Sequence, residues 1–125
     1  MHYTGNKKRV SARITIDILQ WAHEEGLVVN RFFNRAMESL IYELDHERIP
    51  IKTVRMLQDK NTRQSGPVPT KAIQLKIERM FIEKLDMGGY VLNRTLQYAA
   101  LRFLLRWKNG DVPDYEQRYL QGVLR

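Results

Sequence analysis

Displaced by 63 residues, the sequence overlays itself without a gap. Lys8 then falls on Lys71, Ile14 on Ile77, Gly26 on Gly89 and Val28 on Val91. Asn30 falls on Asn93, Arg31 on Arg94 and Ala36 on Ala99. Conservative pairs lie between them: Val10 with Ile73, Arg13 with Lys76, Leu19 with Ile82, and Leu40 with Phe103. The same offset carries on to Pro50 with Pro113, Arg55 with Arg118, Leu57 with Leu120, and Gln58 with Gln121. An internal repeat limits the possible architectures more than any local propensity does. The expected organisation is two copies, 1–62 and 63–125, with a turn-rich joint at Asn61–Pro69. A unit of about 60 residues alone buries little surface. The two copies are therefore expected to share one core, as a pseudo-dimer.

Each copy opens with a short alternating run, Arg9 to Ile14 in the first and Ala72 to Ile77 in the second. Alternation with period 2 is the signature of a strand with one buried face. Val10, Ala12 and Ile14 share one side, and Arg9, Ser11 and Arg13 the other. In the second copy Ile73, Leu75 and Ile77 oppose Gln74 and Lys76. One strand cannot make a sheet, so each needs a partner, within the chain or from another chain.

Helices should follow. Ile14, Ile18, Leu19 and Ala22, and likewise Ile77, Phe81, Ile82 and Leu85, line one helical face, with stops at Gly26 and Gly89. Longer second helices are expected from about Asn30 and Asn93, both suited to N-caps. Their buried stripes read Val29, Phe33, Ala36, Met37, Leu40, Ile41 and Leu44, against Leu92, Leu96, Ala99, Ala100, Phe103, Leu104 and Trp107. Third helices are expected to begin at Pro50 and Pro113, a favoured first helical position. These carry Val54, Met56 and Leu57 in one copy and Tyr115, Tyr119 and Leu120 in the other. The fold class is mainly α with a short two-stranded antiparallel ribbon.

A basic alternating strand followed by two helices with a glycine between them resembles the ribbon-helix-helix family of the Arc and MetJ repressors. The resemblance covers residues 8–44 and 71–107, and its specificity lies in the order of elements appearing twice. The run from Trp21 to Gly26, leading to Val29-Asn30 and Ala36-Met37-Glu38-Ser39, is similar to Arc. Tandem forms of this fold resemble transcription regulators of archaeal viruses. Two features depart from the family: a first helix about one turn short, and Val28 and Val91 where the family often has Ser or Thr at a phosphate.

The resemblance implies a sequence-specific transcription regulator, a repressor or autoregulator, whose ribbon enters the major groove of double-stranded DNA. Base contacts would fall to Arg9, Ser11, Arg13, Gln74 and Lys76, side chains whose donors and acceptors match base edges. Ala72 could touch only a thymine methyl or contact nothing. Phosphate contacts would fall to Lys7, Lys8 and Lys71, and to the helix starts at Val29, Asn30 and Arg31 and at Leu92, Asn93 and Arg94, where free N–H groups and the helix dipole favour anions. For Asn30 and Asn93 simple capping is an equal alternative.

Charge agrees with this reading. The net charge is +7, which suits an anionic partner. Residues 1–16 contain Lys7, Lys8, Arg9 and Arg13 and no acid, and residues 60–77 contain Lys60, Arg63, Lys71 and Lys76 and no acid. A solvated strand face remains the plain alternative for these polar residues.

Other classes fare less well. There is no cysteine, which excludes disulfides and thiolate metal sites, and three scattered histidines build no HExxH motif. No catalytic constellation, metal or cofactor is expected, so the chain does not read as an enzyme. Without a signal peptide or membrane span it is expected inside a cell, in the host cytoplasm if viral. The competing reading is a protein-interaction module of antitoxin type or a DNA-coating nucleoprotein former. The C-terminal segment with Tyr115, Tyr119 and Leu120 reads as part of the repeat and not as an antitoxin tail, which favours self-association into a dimer or higher oligomer, or core packing.

Overall fold

The structure is a computed structural model. It describes residues 6–60 and 69–109, with the side chains of the last helix described as far as Arg106. The order of elements is β1 (Lys7–Thr15), α1 (Ile16–Glu24), α2 (Val29–Asp45), α3 (Ile51–Gln58), β2 (Thr70–Glu78), α4 (Arg79–Met87) and α5 (Leu92–Asn109). Among the described residues the chain is mainly helical, with one two-stranded sheet.

β1 pairs antiparallel with β2 of the same chain. Ser11 stands opposite Gln74, flanked by Arg9 opposite Lys76 and Arg13 opposite Ala72. Gln74 lies 63 positions after Ser11, so the register is centred on two residues related by the sequence offset. The same relation holds where the ribbon ends: the N–H of Ile16 donates to the carbonyl of Pro69, and that of Arg79 to the carbonyl of Asn6. Val10, Ala12, Ile14, Leu75 and Ile77 are buried and Ile73 is half-buried, so the alternation places one face of the ribbon on the core.

α1 and α4 end alike. Gly26 (φ 73°) and Gly89 (φ 74°) are left-handed, a conformation that costs an L side chain roughly 1–2 kcal/mol. The turn lets Leu27 N–H reach the carbonyl of Ala22, and Tyr90 N–H that of Leu85. Each long return bond satisfies a carbonyl that the helix end would leave open.

α2 and α5 pack on each other beneath the ribbon, α2 also against β2 and α5 against β1. Phe33, Met37, Leu40, Leu96 and Leu104 are fully buried at this seam. Each such side chain contributes on the order of 1.5–3 kcal/mol through the water it sheds. A two-stranded ribbon alone is marginal in water, so these helices are what hold it.

Several details differ from the sequence expectation. Phe32, outside the expected stripe, is fully buried and meets Phe103 edge-on at 5.7 Å between ring centroids. Val29 is 40% exposed, because it opens the helix at its solvent end, while Leu44 and Leu92 are half-buried. Pro50 is the N-cap of α3 and not its first residue; its carbonyl accepts from Val54 N–H at 3.0 Å, and a residue lacking its own N–H loses nothing there. The expected helix from Pro113, with Tyr115, Tyr119 and Leu120, lies outside the described residues, as does the Trp107 side chain. Among the described residues no helix is long and apolar enough to cross a membrane.

Candidate nucleic-acid interface

The ribbon's outer face gathers the side chains singled out for base contact. Arg9, Ser11 and Arg13 on β1 and Gln74 and Lys76 on β2 are all exposed on one surface. Ala72 is exposed there too, across from Arg13. Lys7, Lys8 and Lys71 are exposed at the strand ends. The Nε of Arg13 donates to Thr70 Oγ1 at 3.2 Å, a bond that does not involve its two terminal amino groups. The acid opposite Lys7 is Glu78, 4% exposed, whose Oε1 is buried without a hydrogen-bond partner.

Both edges of the ribbon are gripped by amide side chains from the long helices. Asn30 Oδ1 accepts from Lys76 N–H at 3.1 Å, and Asn93 Oδ1 from Arg13 N–H at 2.8 Å. One turn on, Asn34 Oδ1 accepts from Glu78 N–H at 2.8 Å and Gln97 Oε1 from Thr15 N–H at 3.0 Å. Asn34 Nδ2 also donates to the carbonyl of Lys76 at 2.8 Å. The donor in each second bond lies 63 residues from its counterpart, and so does the acceptor. These bonds satisfy edge groups that a two-stranded ribbon otherwise leaves open. They also fix the backbone from which the outer side chains project.

This geometry corrects the reading of Asn30 and Asn93 as N-caps. The N-cap of α2 is Val28, which makes no side-chain cap, and α5 begins at Leu92. Both asparagines sit inside the first turn, with their oxygens on ribbon N–H groups instead. The first-turn N–H groups of Val29, Asn30 and Arg31, and of Leu92, Asn93 and Arg94, belong to helix starts, where intrahelical acceptors are lacking. Both starts therefore flank the ribbon, α2 beside Lys76 and α5 beside Arg13. Arg31 is exposed. Arg94 is held differently: its Nη1 donates to the carbonyls of Met56 and Asp59 at the end of α3. A cation on the last carbonyls of a helix complements the negative end of its dipole.

Asn34 and Gln97 were not among the expected site residues, and they act as positioning residues. A signal existed: both are amides at the same offset inside otherwise apolar helix faces. The described residues contain no group of three or more His, Cys, Asp or Glu side chains able to hold a metal ion. The arrangement places cationic and amide donors on one exposed face of the ribbon, with two helix starts beside it. No protein-family model, curated protein or solved structure matches the chain.

Proposed function

We propose that the chain is a sequence-specific DNA-binding transcription regulator, built from two tandem ribbon-helix-helix copies. It inserts its β-ribbon into the major groove. The observation that carries this reading is the ribbon itself. One face is anchored in the core, both edges are tied by amides, and the other face presents Arg9, Ser11, Arg13, Gln74 and Lys76 to solvent. A two-stranded ribbon fits the major groove, where arginine and lysine donate to guanine and glutamine pairs with adenine. The helix starts beside the ribbon suit phosphates. The register centred on Ser11 and Gln74 supports the tandem organisation, with the two copies completing one shared unit inside the chain.

The reading is tested by footprinting the wild type and an Arg13→Ala, Lys76→Ala double variant. The expected result is loss of the specific footprint with the circular dichroism spectrum unchanged. An unchanged footprint removes the ribbon from the reading surface. Affinity should also fall with salt, by about 0.9 in log K per log unit of salt for each phosphate contact; a flat dependence argues against DNA as partner.

A further inference from the structure

Resting on the DNA reading above, we propose that the protein binds its duplex in a single orientation, on a site without two-fold symmetry. The ribbon has two ends, related by a half-turn about the Ser11–Gln74 pair. One end carries Lys7, Lys8, Arg9, Lys76 and Arg79, all exposed. The half-turn carries these positions onto Thr70, Lys71, Ala72, Arg13 and Ile16. Five cations at one end thus face two at the other. Each end has one acid nearby, Glu78 buried at the first and Asp17 exposed at the second. The exposed carboxylate therefore lies at the end with fewer cations.

A helix starts beside each end of the ribbon. α2 begins beside the cation-rich end and brings the exposed Arg31. α5 begins beside the other end and brings Arg94, whose Nη1 is bonded to carbonyls of Met56 and Asp59. Each end also has one arginine tied through Nε, Arg13 to Thr70 and Arg79 to Asn6, both at 3.2 Å, so the ends differ in the number of cations and in Lys76 standing across from Arg9 where Ala72 stands across from Arg13.

The chemistry of each end fixes what it selects. Arg9 and Lys76 side by side are donors only, and suit guanine O6 and N7. Arg13 beside Ala72 offers one guanine contact and one methyl, which meets a thymine methyl. Most counterion release belongs to the first end, because its cations outnumber those at the second. A duplex turned end for end would lay the methyl of Ala72 on guanines and two cations on the thymine-bearing half. Each mismatched base pair weakens binding by roughly fivefold to 150-fold.

The test is selection from a randomised double-stranded DNA library by the full-length chain, with two single variants in parallel. The wild type should enrich a consensus whose halves differ, guanine-rich on one side. Palindromes built from either half should bind more weakly, by at least about fivefold. Ala72→Arg adds a donor to the poorer end at an exposed position, and should move the consensus toward two-fold symmetry. Arg9→Ala should erase preference in the guanine-rich half alone. A palindromic wild-type consensus overturns the single orientation while leaving DNA binding intact. A consensus that Ala72→Arg does not alter overturns the placing of Ala72 at the weaker half. No enrichment at low salt overturns the DNA reading and this inference with it.

Discussion

The charges on the ribbon and the charges between α2 and α5 stand in opposite environments. On the ribbon, Arg9, Arg13 and Lys76 lie exposed, and Glu78, the one acid within the strands, is buried. In the seam, Glu43 is 4% exposed and meets three arginines: Arg106 at 3.3 Å, Arg102 at 3.4 Å and Arg48 at 3.6 Å. Arg106 lies 63 positions after Glu43, the relation that also joins Ser11 to Gln74. A symmetric pair of identical units would hold two carboxylates or two guanidinium groups at that place. The difference between the regions separates two uses of charge. The buried carboxylate in the seam ties α2 to α5, and the charges on the ribbon face solvent.

Three groups of substitutions sharpen the contrast. The largest effect is expected at Glu43→Arg, which places like charges in a buried site. It should lower stability by about 3–5 kcal/mol, the range for breaking a buried pair, as read from urea unfolding. Adding Arg106→Glu should recover most of the loss; a double variant no more stable than the single would show that the two sites are not coupled. A smaller loss, about 1–3 kcal/mol each, is expected for Asn34→Ala and Gln97→Ala, which leave the buried N–H of Glu78 and the half-buried N–H of Thr15 without their acceptors. Hydrogen exchange should then quicken at the amides of Glu78 and Thr15 respectively, and unchanged exchange would refute the edge-clamp role. The smallest effect belongs to the ribbon cations. Arg9→Ala and Lys76→Ala should change stability by no more than about 0.5 kcal/mol, as exposed substitutions do, while affinity for DNA falls. A large stability loss there would make these side chains structural.

How much of this could be read from the sequence follows from the range of each interaction. The strands were legible because period-2 alternation is local, and Val10 to Ile14 and Ile73 to Ile77 lie as the alternation places them. The glycine stops at Gly26 and Gly89 were legible for the same reason. Asn30 and Asn93 were misjudged because capping is the commonest local use of an asparagine near a helix start. Their real acceptor duty lies 46 and 80 residues away in the chain. Glu43 escaped notice because the offset there exchanges a carboxylate for a guanidinium, so similarity scoring passes over it. Arg94 stood out as a phosphate candidate, and its bonds to the end of α3 depend on a docking that no periodicity encodes. The pairing of β1 with β2, open between one chain and two, is settled within the chain.

The joining of β1 to β2 also bears on how the protein is made. Residue 11 leaves the ribosome 63 residues before its partner, residue 74. At about 5–20 residues per second the first strand waits roughly 3–13 seconds for the second. Through that interval its hydrogen-bonding edges are open and its apolar face has no lid. Nascent chains arrested before residue 70 should be cut by protease within residues 7–15, and chains arrested well beyond residue 104 should resist.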